Sequence, residues 1–273
     1  MKNSMAFTRS FFKWAGSKYN CLTQILGSLP PANRLIEPFA GSAVVSLNTH
    51  YSSYLLAEFN GDLVAIYKHL QQQEEQFIAY CQQFFIPENN CQERYYELRN
   101  QFNSLPQSEL RSAIFLYLNR HGYNGLCRYN SKGVYNVPFG RHTKPYFPLK
   151  EMLNFSKKSK DMHFIQSDFR NSFSLAKPGD VIYCDPPYVS LPQKSKAFSY
   201  TYKKFDENEQ IELAELAVKT AAKGIPVIIS NHDTEFTRHH YREANIKSFP
   251  VSRFINCQPQ MRKPVHELIA VFM

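Results

Sequence analysis

No two cysteines in this sequence stand at Cys-x-x-Cys spacing. The six present, Cys21, Cys81, Cys91, Cys127, Cys184 and Cys257, are scattered along 273 residues, which argues against a zinc site. Several fall inside apolar patterns, as reduced buried thiols in a reducing cytoplasm do. The histidines, His239-His240 included, lie at no recognisable metal-ligand spacing, so no metal is expected. No stretch approaches the ~20 apolar residues of a membrane span. The first ten residues hold no apolar run of signal-peptide length. The expectation is a cytoplasmic chain without a membrane partner. Internal repeats and low-complexity tracts are also missing. What is present is 43% hydrophobic residues, a globular composition, in a chain long enough for one or two domains. Lys plus Arg number 32 against 23 Asp plus Glu, a net charge of +9. That balance favours a polyanionic partner such as nucleic acid.

One further absence is local. Between Arg120 and Lys150 there are six cations and no Asp or Glu. Turn formers crowd the same span: Gly122, Asn124-Gly125, Asn130-Ser131-Lys132-Gly133, Pro138 and Gly140. Val134-Tyr135-Asn136-Val137 alternates as a strand does, so a β-hairpin is expected. Tyr123, Tyr129, Tyr135, Phe139, Tyr146 and Phe147 are interleaved with the cations. Cations, stacking rings, Asn amides and turns are what a groove-reading loop needs. The absence of acids favours nucleic-acid contact over an ordinary basic surface loop.

Candidate strands surround this block. Arg34–Glu37 leads into Pro38-Phe39-Ala40-Gly41, after which Val44–Leu47 is expected to start a helix. Such a strand, glycine turn and helix N-terminus let backbone amides approach a ligand, although only Gly41 of a G-x-G-x-x-G is present. Tyr54–Ala57 reads as a strand ending in Glu58, at the offset where nucleotide-binding units place an acid for ribose hydroxyls. From Asp62 to Phe84 the apolar period is helical, with further helices over Gln92–Phe102 and Glu109–Arg120. His163–Gln166 reads as a strand running into Asp168-Phe169. Val181–Cys184 is a buried strand that ends at Asp185-Pro186-Pro187-Tyr188. Two prolines fix φ twice and remove two amide hydrogens, and Pro186 holds Asp185 out of the α region. The product is a stiff corner presenting a carboxylate, a ring and free carbonyl oxygens. A polar loop over Lys194–Lys204, a helix over Glu207–Ala222, a strand at Pro226–Ile229 and strands at Ile246–Phe254 and His266–Phe272 complete the chain. Alternating strands and helices give an α/β domain with a mostly parallel sheet. Gly41, Glu58, Asp168, Asp185 and Asn231 then converge at its carboxyl edge. Early in the chain, the only Trp lies in Phe11-Phe12-Lys13-Trp14-Ala15-Gly16-Ser17-Lys18, an aromatic wall with a cation for a carboxylate.

These motifs resemble the Dam family of DNA adenine-N6 methyltransferases. The segments Phe12–Lys18, Glu37–Gly41, Asn119–Asn130, Asn136–Arg141, Asp185–Tyr188 and Ser230–Thr234 match in the family's order, over nearly the whole chain. The resemblance implies a Rossmann-like S-adenosylmethionine-dependent methyltransferase fold. Residues 1–61 and 151–273 would form the catalytic domain. Residues 62–150 would form an inserted, mainly helical DNA target-recognition domain carrying the hairpin. S-adenosylmethionine would lie across Trp14, Lys18, Phe39, Gly41, Glu58, Asp168, Phe169 and Asp185, with Glu58 on the ribose. Asp185, Pro186, Pro187 and Tyr188 would be catalytic. Double-stranded DNA, at GATC, would be met by Lys13, Arg120, Tyr123, Asn124, Leu126, Arg128, Asn130, Pro138, Arg141 and His142. Leu126, Arg128 and Pro138 would touch bases, and Tyr123 would wedge into the duplex. The sequence departs from the family at Ala43 (a glycine position), Glu58 (commonly Asp) and His142 (often Tyr). Alternatives are a catalytically decayed DNA-binding protein and an N4-cytosine enzyme. A monomer without an obligate protein partner is expected.

Overall fold

The computed structural model describes residues 7–188, 205–251 and 265–273. The expected loop Lys194–Lys204 and the end of the strand expected to run to Phe254 lie outside the described residues. Seven strands form one sheet: β1 (Arg34–Glu37), β2 (Ser53–Glu58), β3 (Met162–Gln166), β4 (Asp180–Cys184), β5 (Val227–His232), β6 (Asn245–Val251) and β7 (Val265–Phe272). Their order is β3-β2-β1-β4-β5-β7-β6. β1 to β5 pair in parallel, and β7 runs antiparallel to both β5 and β6. This is a doubly wound, Rossmann-like α/β sheet with its order reversing at β1 and β4. The carboxyl ends of five strands therefore lie along one edge.

Strands β1, β2, β4 and β5 are buried on both faces, which is why they read as continuous apolar runs. Leu35, Val181, Tyr183 and Ile228 pack into one core layer, and their neighbours Ile36, Ile182, Cys184, Val227 and Ile229 into the other. The period of two decides the layer. The second layer is covered by α7 (Phe169–Ser174) and α8 (Glu207–Ala221), with Tyr241 behind the short α9 (Glu235–His240).

The first layer is covered by the segment between β2 and β3. It holds α2 (Gly61–Gln73), α3 (Glu75–Gln82), α4 (Gln92–Ser104), α5 (Glu109–His121) and α6 (Leu149–Ser159). The short α1 (Leu22–Leu26) precedes β1. Asn60 caps α2 by accepting the amides of Asp62 and Leu63 at 3.0 and 3.1 Å. The helical period from Asp62 breaks at Glu74, whose φ is +49°. Every residue from Ser112 to His121 is buried, so α5 is the central helix of this layer. Phe102, Phe115, Tyr135, Phe155 and Val181 belong to a single apolar cluster; the helical segment and the sheet share one core.

Two expected elements differ. No α-helix follows Gly41: the chain makes turns and a 3-10 helix over Ser46–Asn48. Ala43 is left-handed at φ +55°, and the buried Glu37 carboxylate takes the Ser46 amide at 2.9 Å. Both interrupt the helical amide ladder before it starts. The hairpin is reduced to an antiparallel bridge between Tyr129 and Tyr135, closed by the Asn130 amide on the Val134 carbonyl at 2.9 Å. Asn130 Oδ1 consolidates it by accepting the amides of Lys132 and Val134.

Candidate active site

At the carboxyl end of β4, Asp185 leaves the sheet half-buried, its side chain 20% exposed. Lys18 Nζ lies 2.8 Å from its Oδ1 and donates to the Gly16 carbonyl at 2.9 Å. The same ammonium sits 4.7 Å from the centre of the Tyr188 ring. Ser230 Oγ, at the end of β5, donates to Asp185 Oδ1 at 3.2 Å and meets the buried Tyr183 hydroxyl at 2.8 Å. Burial pushes the Asp185 carboxyl above the usual carboxylate range, and Lys18 with Ser230 opposes the rise. The result is a carboxylate poor in solvent, fixed by one cation and one hydroxyl. Tyr188 packs on His232 with ring centres 4.0 Å apart.

Beside the corner, Gly41 stands at φ +46°, a conformation glycine takes at little cost. A Cβ there would meet Trp14 Cδ1 at 2.9 Å and Nε1 at 3.0 Å, so only glycine lets the indole close over this turn. The Gly41 amide donates to Glu58 Oε2 at 3.0 Å, and the Asn60 amide to Oε1 at 3.0 Å. Glu58 is buried, and burial raises its carboxyl while these amides oppose the shift. Tyr67 donates its hydroxyl to the Gly41 carbonyl. Phe39 stacks on Phe169 at 5.5 Å, and Phe205 sits edge-on to both. Asp168 caps α7 and pairs with Arg170, which also reaches Glu212. Aromatic faces, a glycine cradle and buried acids along the edge of β1, β2 and β3 suit a nucleoside that carries a charged tail. Among the described residues, no group of three or more His, Cys, Asp or Glu side chains is placed to hold a metal ion.

The residues expected to meet DNA separate into two sets. Tyr123, Asn124, Pro138 and Arg141 are exposed, with Asn124 and Arg141 left-handed at φ +53° each. Leu126, Arg128, Asn130 and His142 are half-buried beside them. Arg128 donates from Nε to Asn136 Oδ1 at 2.7 Å and from Nη2 to the Asn136 carbonyl at 3.0 Å, which orients its fork. His142 Nε2 lies 3.3 Å from the Gly122 carbonyl.

Arg120, expected to meet DNA, is instead buried. It is 7% exposed, and its Nη2 donates to the Phe11 carbonyl. Burial lowers its pKa to about 10. Its neighbour Asn119 exchanges hydrogen bonds with the Lys13 backbone in both directions, at 2.9 and 2.8 Å. The end of α5 thus fastens the segment Phe11–Lys13 instead of facing solvent. Lys13 is half-buried, its pKa lowered by burial and by Arg120. Its side chain crosses Gly125, where a Cβ would fall 2.2 Å from Lys13 Cδ. Asn231 also turns away from the Asp185 carboxylate: its amide reaches Gln210 Oε1 at 3.1 Å and the Tyr241 hydroxyl at 3.0 Å. Ser230 faces Asp185 in its place. Strand alternation signals that swap, since adjacent residues of β5 face opposite layers.

The sheet order and the Asp-Pro-Pro-Tyr corner are those expected of the S-adenosylmethionine-dependent methyltransferase class that the sequence resembles. Family comparison is specific about which kind. The model for D12 class N6 adenine-specific DNA methyltransferases matches residues 14–253, and the chain belongs to that family. It is similar to the DNA adenine methylase of Escherichia coli strain K12, 42% identical over 268 residues, 98% of this chain and 96% of that one. The DNA adenine methylase of Vibrio cholerae serotype O1 is 44% identical over 265 residues, 97% of this chain and 96% of that one. That of Serratia marcescens is 41% identical over 269 residues, 98% and 100% of the two chains. The chain is therefore an adenine-specific DNA methyltransferase with S-adenosylmethionine as methyl donor. The comparisons favour neither the decayed DNA-binding protein nor the N4-cytosine enzyme.

Proposed function

We propose that the chain methylates N6 of an adenine flipped out of double-stranded GATC, and that Asp185 and the Pro186 carbonyl accept its two N6 hydrogens. The observation that carries this reading is the Asp185 carboxylate, held at 2.8 Å by Lys18 and 3.2 Å by Ser230 at a corner whose two prolines carry no amide hydrogen. The adenine amine is a poor nucleophile because its lone pair is delocalised into the ring. Extrusion from the stack costs a few kcal/mol. Acceptors on both N6 hydrogens localise the lone pair and bind more tightly as nitrogen becomes positive. Tyr188 stacks on the extruded base. Lys18 opposes the rise that burial imposes on the Asp185 carboxyl, and Asp185 acts as a positioning acceptor, since N6 loses its proton after attack. When bound, S-adenosylmethionine supplies an electrophilic methyl on a sulfonium. Trp14, Lys18, Phe39, Gly41, Glu58, Asp168 and Phe169 would hold it. Glu58 keeps a lone pair for a ribose hydroxyl beyond those given to the amides of Gly41, Phe59 and Asn60.

In the same reading residues 62–150 form the target-recognition domain. Leu126, Arg128 and Pro138 reach base edges, and Tyr123 wedges into the duplex. Lys13, Asn124, Asn130, Arg141 and His142 line the contact, and Arg120 does not take part. The enzyme acts as a monomer in the cytoplasm. No helix among the described residues is long and apolar enough to cross a membrane. The test is expression in cells lacking adenine methylation, followed by digestion with GATC-cutting nucleases of opposite methylation sensitivity. Wild type should protect the DNA from the nuclease that methylation blocks and expose it to the nuclease that requires methylation. Asp185→Ala should give the opposite pattern while the purified variant still binds duplex; the wild-type pattern from that variant would sink the reading.

A further inference from the structure

The corner that carries Asp185 cannot be anchored by donated hydrogen bonds at Pro186 or Pro187, because neither has an amide hydrogen. Only their carbonyls remain, and a carbonyl needs a donor brought to it. Gln210, in the first turn of α8, is 1% exposed and brings one: its Nε2 donates to the Pro187 carbonyl at 2.8 Å. The orientation of its carboxamide is imposed from β5. The His232 amide donates to Asn231 Oδ1 at 2.8 Å, which turns Asn231 Nδ2 toward α8. That group donates to Gln210 Oε1 at 3.1 Å and to the Tyr241 hydroxyl at 3.0 Å; the hydroxyl in turn reaches Gln210 Oε1 at 3.3 Å. With two donors on Oε1, Nε2 has one direction left, toward Pro187.

We infer that Gln210 is a positioning residue for methyl transfer: its carboxamide, set by Asn231 and Tyr241, holds the Pro187 carbonyl and so aims the Pro186 carbonyl and the Tyr188 ring on either side of it. The inference rests on the reading that this corner receives the adenine. Gln210 reaches the corner through the Pro187 carbonyl, so its effect falls on the rate of transfer and not on either binding step.

The experiment is single-turnover methyl transfer to a GATC duplex at saturating S-adenosylmethionine, from neutral pH toward acid. It compares wild type, Gln210→Glu, Gln210→Leu and Asp185→Ala, each checked for folding by thermal melting. Gln210→Leu should slow transfer on the order of 10- to 100-fold, the scale of a misplaced reacting group, with DNA and cofactor Kd close to wild type. Gln210→Glu keeps the volume, but its carboxylate only accepts and repels the Pro187 carbonyl. Protonation restores a donor, so its rate relative to wild type should climb as the pH falls. A glutamine that merely packs gives a ratio flat with pH. A flat ratio, whether at the wild-type rate or below it, overturns the inference, as does a wild-type rate in Gln210→Leu. If Gln210→Leu does not fold, the pH trend of Gln210→Glu decides alone. Loss of transfer in Asp185→Ala beside full transfer in Gln210→Glu overturns this inference only. Full transfer in Asp185→Ala overturns the reading beneath it.

Discussion

Glu37 ends β1 with its carboxyl fully inside the protein, accepting hydrogen bonds from the Ser46 amide at 2.9 Å and from the Ser46 hydroxyl. Burial pushes its pKa up from 4.5 to about 7, the Ser46 bonds opposing and the Asp185 charge assisting. The folded chain therefore binds this proton more tightly than the unfolded chain does. The stabilisation is full below about pH 4.5 and is lost as the pH rises through about 7, a difference of about 3 kcal/mol. Glu37→Gln should flatten that part of the stability curve, visible as urea midpoints that no longer fall between those two pH values relative to wild type. Ala43 is a second residue whose surroundings matter more than its type. It holds φ +55° while fully buried, a conformation that costs an L-residue about 1 kcal/mol and glycine almost nothing. The departure from glycine thus leaves the backbone turn in its left-handed form. Arg120 shows the limit of reading single residues. In an acid-free block it looks like a phosphate cation, and only the Phe11 carbonyl, 109 positions away, takes it out of solvent.

At the scale of elements, the strands were the legible part. β1, β2 and β4 are apolar because both faces are covered, and their polar ends mark the site edge. What was not legible depends on partners far along the chain. Gln210 sits in a polar first turn, Glu207–Gln210, that reads as a solvated helix start. Its burial against Pro187 follows from the corner and not from the helix. Asp62 is a comparable case. It opens α2 and accepts from Arg111 Nε at 2.7 Å, Gln107 Nε2 at 2.8 Å and the Tyr129 hydroxyl at 2.7 Å. Three elements, α2, α5 and the reduced hairpin, are tied through one carboxylate. Tyr129→Phe removes one of the three and should cost about 1 kcal/mol. Asp62→Ala strands a half-buried Arg111 and should cost about 3 kcal/mol or more. Denaturant unfolding of the two variants measures both, and equal losses would show that the hydroxyl carries the junction.

For the molecule as a whole, the charge excess has a measurable counterpart. Lys132 and Lys144 lie exposed in the acid-free block and form no salt bridge among the described residues. If they face phosphate, replacing each by Ala should reduce the slope of log K against log salt by about 1. The loss of affinity should be the same on GATC and scrambled duplexes, read by fluorescence anisotropy. An unchanged slope would place these lysines away from DNA. The convergence of Gly41, Glu58, Asp168 and Asp185 was legible because parallel strand order puts their carboxyl ends together. The tie between the acid-free block and the sheet was not, because it runs through packing. Phe102, Phe115 and Tyr135 belong to the same apolar cluster as Val181 and Ile228, and Asn119 with Arg120 grips the Phe11–Lys13 strap. On the proposed reading, exchange of target preference between relatives is constrained accordingly. A segment 62–150 grafted whole would bring half of a core with no counterpart to receive it. On that reading, drift in specificity has its open route at a solvent-facing turn position such as Pro138, where a side chain can change without asking the sheet to repack.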